Sequence, residues 1–144
     1  MGKSAGSALK HYVLDANAVI RLLEQGKDWQ RVKALFEKAA RGEARLLISA
    51  VNWGEVLYSL AKKAGVVQAK ADLKGLSLFM ETVPADETEA EAAATIKSYY
   101  RLGYGDCYAA ALAMRVNGTL VSADPDFARL GKKLKMLNLA PYKG

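Results

Sequence analysis

Short apolar runs alternate with longer amphipathic segments along almost the whole chain. Tyr12-Val13-Leu14, Leu46-Leu47-Ile48-Ser49 and Thr119-Leu120-Val121-Ser122 read as buried strands, with Lys135-Met136-Leu137-Asn138-Leu139 as a last one. Between them the spacing predicts helices over about 17–23, 29–40, 52–64, 68–80, 88–102 and 106–117. Val32, Leu35, Phe36 and Ala39 share one helical face, and Gly42, Gly65 and Gly118 stand where helices end. Thr88-Glu89-Ala90-Glu91 has the look of a capping box. Thr82-Val83-Pro84 is at best an edge strand, because proline donates nothing to a ladder. Strands that alternate with helices in this way require right-handed crossovers. The expected fold class is therefore α/β, a single-domain α/β/α sandwich around a mostly parallel central sheet of about four or five strands.

With 144 residues the chain has room for one such sheet and a real core, but not for a second domain. Residues 1–10 read as a flexible leader and 11–144 as the folded domain. The longest apolar run, Cys107 to Met114, is far short of the ~20 residues that span a bilayer. One cysteine excludes an internal disulfide, and one histidine excludes a His-rich zinc site. Both fit a reducing, cytoplasmic setting. Cys107 as a nucleophile would need a base, yet His11 lies at the opposite end of the first strand from the ligand crevice. A Ser-His-Asp triad fails for the same reason.

Acidic residues carry the chemistry instead. In an open parallel sheet, ligands bind beyond the carboxyl ends of the strands. Asp15 directly follows the first apolar triplet; Asp124 follows the strand at 119–122, and Asp126 lies two residues on. Asp106 opens a helix that is apolar nearly all round, where a carboxylate costs several kcal/mol, by order of magnitude, unless partnered. Turn and N-cap preferences offer a plainer account of each Asp. Glu55 lies opposite the apolar face of its helix, so periodicity alone makes it a solvated first-turn glutamate. Hard oxygen donors without histidine or cysteine suit Mg²⁺ or Mn²⁺. Such an ion relieves repulsion among converging carboxylates and suits attack on a phosphodiester. The net charge of +6 would then hold a polyanionic backbone.

Four motifs stand out: Tyr12-Val13-Leu14-Asp15-Ala16-Asn17, Ile48-Ser49-Ala50-Val51-Asn52-Trp53-Gly54-Glu55-Val56, Leu102-Gly103-Tyr104-Gly105-Asp106-Cys107 with the alanine-rich helix behind it, and Thr119-Leu120-Val121-Ser122-Ala123-Asp124-Pro125-Asp126-Phe127. Together they resemble the PIN-domain family, more narrowly its VapC-type toxin ribonucleases. The resemblance covers about 12–139 with the motifs in family order. It implies a divalent-metal-dependent endoribonuclease, the toxin of a toxin–antitoxin pair, with Asp15, Glu55, Asp106 and Asp124 as the catalytic acids. By the same resemblance Asp15, Asp106 and Asp124 would hold Mg²⁺ or Mn²⁺, and Glu55 would position or deprotonate the water. Asn17, Ser49 and Ser122 would orient the acids, and Asp126 would be a fifth carboxylate. The resemblance further implies an RNA substrate, a cognate antitoxin covering the acidic groove, and a homodimer.

Other readings follow from the same residues. A non-catalytic PIN-like module binding RNA or protein would most simply lack one of the four acids. A Mg-dependent phosphoacceptor domain needs an aspartate at the end of the third strand, and Val83-Pro84-Ala85-Asp86 fits that poorly. Tyr99, Tyr100, Arg101 and Tyr104 offer base stacking, and Arg129, Lys132, Lys133, Lys135 and Lys143 a basic track. Trp53 and Leu78 have the look of an exposed dimer face.

Overall fold

A computed structural model describes residues 9–141. The described chain runs β1 (Lys10–Leu14), α1 (Ala16–Glu24), α2 (Trp29–Ala40), β2 (Ala44–Ser49), α3 (Ala50–Ala64), α4 (Val66–Leu76) and β3 (Met80–Val83). It continues through α5 (Glu87–Tyr99), α6 (Tyr104–Arg115), β4 (Thr119–Ser122), 3₁₀ turns over Pro125–Lys133, and β5 (Lys135–Asn138). The five strands form one all-parallel sheet in the order β3-β2-β1-β4-β5.

Alternation along each strand distributes side chains to two cores. Tyr12, Leu14, Leu46, Ile48 and Val121 face one layer, where α1 to α4 contribute Val19, Phe36, Val56 and Leu73. Val13, Leu47 and Leu120 face the other, packed on Ile96 of α5 and on Cys107 to Ala113 of α6. Period-two alternation inside uniformly apolar strands is what a sheet buried on both faces requires. α6 is correspondingly the most buried helix, and its alanines let it lie close against the strands.

The sheet order places the site. The chain leaves β1 toward β2 on one side and returns to pair β4 on the other, so the switch point falls between β1 and β4. Their carboxyl ends carry Asp15 and Asp124. β3 stands at the far edge beyond β2, and its nearby acid, Asp86, caps α5 by accepting from Glu89 N at 3.0 Å. That arrangement removes the phosphoacceptor reading, which needs an acid-bearing third strand inside the crevice.

Several expected boundaries move. β1 begins at Lys10, so the end of the supposed leader and His11 belong to the strand; residues 1–8 lie outside the described residues, as does Lys143. α4 stops at Leu76, four residues early, because buried Met80 pairs with Leu46 as the first residue of β3. Pro84 follows that edge strand, where no ladder N–H is required. The N-cap of α5 sits two residues earlier than expected, at Asp86, and no reciprocal capping box forms there, because Glu89 turns its carboxylate to Arg115 at 2.5 Å. Trp53 is half-buried against the α1–α4 core rather than on a free face, whereas Leu78 is 80% exposed. Among the described residues no helix is long and apolar enough to cross a membrane.

Candidate active site

Asp15 ends β1 and caps α1 in the extended conformation that an N-cap needs. Its Oδ1 accepts from Ala16 N at 2.9 Å; its Oδ2 accepts from Ser122 Oγ at 2.7 Å and from Asn17 Nδ2 at 3.0 Å. Asn17 Nδ2 also donates to Ser122 Oγ, and Asn17 Oδ1 accepts from Ala123 N, both at 3.0 Å. Ser122 Oγ further accepts from Asp124 N at 3.0 Å. The hydroxyl thus uses its one donor and both lone pairs, which locks the ends of β1 and β4 together. Asp124 in turn caps the 3₁₀ turns by accepting from Asp126 N at 2.9 Å.

Asp15 and Asp124 are therefore caps, as the plainer account has it, and they also sit at the switch point. Asp106 is different. The N-cap of α6 is Gly103, and Asp106 occupies the first turn without serving as the cap. Its carboxyl is pushed up to about 7, first by burial, then by the charges of Asp15, Asp124 and Glu55, and by a hydrogen bond with Asp124. Burial also drives Asp15, only 3% exposed, up to about 6, with Glu55 and Asp124 adding to it against the hydrogen bonds from Ser122 and Ala16. Asp15 at the start of α1 and Asp106 in the first turn of α6 thus feel the charges of Glu55 on α3 and Asp124 after β4.

Glu55 lies in the second turn of α3, since the helix starts at Ala50 rather than Asn52. It is exposed, as its wheel position predicts, but it is held: Asn52 Nδ2 donates to Glu55 Oε1 at 2.9 Å and to the Gly105 carbonyl at 3.0 Å. Asn52 escapes sequence reasoning because an asparagine near a helix start passes for a capping residue. The signal was its i,i+3 spacing to Glu55, which puts both on one face. Ser49 caps α3 through Val51 N at 3.2 Å, so its hydroxyl sets the start of the helix that carries Glu55. Asp126 turns to Arg129 at 3.5 Å, on the outer side of the turn. Cys107 is fully buried in the α5–α6 core, and burial pushes its thiol up.

Basic and aromatic residues of the α5–α6 loop meet the 3₁₀ turns. Arg129 also donates to the Arg101 carbonyl, and Lys133 Nζ reaches Tyr100 Oη at 3.0 Å. Tyr99 is 79% exposed; Tyr104, 49% exposed, packs edge-on against Tyr108 with centroids 5.2 Å apart. A pocket of about 320 Å³ lined by Asn17, Ala123, Asp124, Pro125 and Pro141 opens beside the acids.

None of the ion pairs among the described residues involves Asp15, Glu55, Asp106 or Asp124. Nor do three His, Cys, Asp or Glu among them stand in an arrangement ready to hold a metal ion. The oxygens of Asp15 are turned to Ser122, Asn17 and Ala16. The donor set is nonetheless all oxygen, buried or half-buried at Asp15 and Asp106, and repelled within itself. That is the chemistry a hard divalent cation suits.

Comparison with known proteins agrees with this architecture. A family model described as PIN domain matches residues 12–133. No curated protein matches the sequence. Among solved structures, a chain of DNA-bound VapBC from Salmonella typhimurium superposes with a TM-score of 0.73 at 19% identity, covering 91% of this chain and 98% of that one. A chain of VapBC2 from Rickettsia felis, bound to a promoter DNA fragment, gives 0.70 at 17% identity, covering 89% and 98%. The Mycobacterium tuberculosis toxin VapC20, described as cleaving the sarcin-ricin loop, gives 0.67 at 18% identity, covering 83% and 95%. At these identities the likeness is one of fold. The family model, which spans most of the chain, shows that this protein belongs to the PIN domain family.

Proposed function

We propose that this protein is a divalent-metal-dependent endoribonuclease of the toxin type. The observation that carries the reading is the electrostatic state of the switch point. Asp15 and Asp106 are driven up to about 6 and about 7 by burial and by mutual repulsion with Asp124 and Glu55. A fold keeps such a group of acids together for a positively charged ligand, or for proton transfer.

Asp15, Asp106 and Asp124 are the residues that would hold Mg²⁺ or Mn²⁺. When bound, such an ion supplies Lewis acidity and charge neutralisation toward a phosphodiester. Glu55, exposed and free of any cationic partner among the described residues, is placed to accept the proton of an attacking water. Ser122 and Asn17 keep Asp15 in one rotamer, so its carboxylate needs little reorganisation. Arg101, Arg129, Lys132 and Lys133, exposed on the α5–α6 loop and the 3₁₀ turns, would hold phosphates of the substrate backbone, with Tyr99 and Tyr104 as stacking faces. The VapBC likeness supports a protein partner whose segment covers the acids, and a homodimer belongs to the same reading.

Purified protein incubated with RNA and Mn²⁺ should give fragments with 5′-phosphate ends, and none with excess EDTA or after Asp15→Asn. Intact RNA under all these conditions would leave the non-catalytic binding module as the better account.

A further inference from the structure

We propose that Asn52 is a positioning residue that holds Glu55 over the start of α6, and that Gly105 provides the space for it. The proposal rests on the nuclease reading and names a device within it that the four acids do not reveal.

Asn52 is completely buried at the junction of α3 and α6. Its amide nitrogen faces two acceptors, Glu55 Oε1 and the Gly105 carbonyl, so the opposite amide orientation would set oxygen against oxygen. The other end is badly served: Oδ1 is buried with no hydrogen-bond partner among the described residues. A buried acceptor left without a partner costs stability. An apolar residue of similar size would remove that cost. Glu55, being exposed, would return to water, and the Gly105 carbonyl would remain within α6. For stability alone Asn52 is thus a poor choice; for aiming Glu55 it is a specific one.

Gly105 completes the device. A Cβ there would lie 2.9 Å from Glu55 Cδ and closer still to Oε2. The glutamate can move aside, so the clash is cheap for the fold but displaces the carboxylate. One bond from Asn52 and one missing methyl on α6 therefore fix Glu55 next to Asp106, the residue after Gly105.

The test is a double-mutant cycle on the full chain, with single-turnover RNA cleavage in Mn²⁺, thermal unfolding, and proton exchange of the Asn52 side-chain amide by NMR. Asn52→Leu and Gly105→Ala should each lower kcat by about 10²-fold with KM unchanged, the loss expected from a misplaced catalytic group. Both should melt at or above the wild-type temperature. Neither should add to the loss caused by Glu55→Ala, because each acts through that residue. In the wild type both Asn52 amide protons should exchange slowly, and Glu55→Ala should speed one of them only.

Cleavage by Asn52→Leu within about twofold of wild type would overturn the proposal, as would a further loss on the Glu55→Ala background. If the wild type cleaves no RNA, the nuclease reading falls and the amide arm decides. Two protons untouched by Glu55→Ala then overturn the clamp, and one released proton upholds it. Should Asn52→Leu fail to fold, Gly105→Ala carries the same cycle, with the bond from Asn52 to the residue 105 carbonyl left in place.

Discussion

Neutralising Asp15 should make the metal-free protein more stable at neutral pH while abolishing its activity. The carboxyl is buried and its pKa rises from 3.8 to about 6 on folding. A raised acid binds its proton more tightly in the folded state, so between these two values the folded chain carries more protons than the unfolded one. Stability therefore falls as pH rises through that window and stays lower above it. The shift corresponds to about 3 kcal/mol at pH 7 and above. Asp15→Asn removes this liability and keeps an N-cap acceptor for Ala16 N. Its amide nitrogen would face Asn17 Nδ2 and a Ser122 Oγ whose lone pairs are already taken, giving back about 2 kcal/mol through two lost hydrogen bonds. The expected balance is a gain of about 1 kcal/mol at pH 7.5 and a loss of about 2 kcal/mol near pH 4. Urea unfolding in EDTA at the two pH values measures it; with m of about 2 kcal/mol/M the midpoint should rise by about 0.5 M at pH 7.5. A variant no more stable than wild type at pH 7.5, or a difference that ignores pH, would refute the argument.

Saturating Mn²⁺ at about 100 times its Kd should stabilise the wild type by about 2.7 kcal/mol at pH 7.5, and Asp15→Asn by far less, as read by thermal shift. Ser122→Ala removes the hydroxyl that donates to Asp15 and accepts from Asn17 and Asp124; cleavage should drop at least tenfold, by about 1.4 kcal/mol or more in the barrier, in a single-turnover assay. Arg115→Ala leaves the buried Glu89 carboxylate without its ion pair, so unfolding free energy should fall by about 1–3 kcal/mol with cleavage unchanged at a temperature where the variant is folded. Replacing Arg129 and Lys133 with Ala should weaken RNA binding and reduce its salt slope by about 1–2 units, as measured by fluorescence anisotropy across salt concentrations.

Much of this fold is legible because strand and helix signals agree with one another. The run from Thr119 to Ser122 is a strand from its first residue to its last, since β4 is buried on both faces and flanked by Gly118 and Ala123. Boundaries fail where tertiary partners outweigh local pattern. Met80 continues the helical periodicity of 68–80, yet pairing with Leu46 makes it a strand residue. The 3₁₀ turns after Pro125 have no run of their own; they exist because Asp124 caps them and Gly131 adopts a φ of 57°. At the candidate site, Asp15 and Asp124 follow from position alone, since strand ends are visible in sequence. Glu55 does not, because its role depends on α6 passing over α3, a contact with no local signature. Asn52 is harder still: its two acceptors lie on different helices, and only the folded chain shows them together.

The pairing of β1 with β4 has a consequence for a chain still being made. Asp15 is synthesised well before Asp124, and Ser122 is the link between them. β1 can pair with β2 early, but its other edge stays open until β4 has emerged. A nascent or prematurely terminated polypeptide holds Asp15, Glu55 and even Asp106 without the strand that draws them together. If this chain attacks RNA, it is harmless to the messenger and ribosome producing it until β4 has emerged and paired with β1.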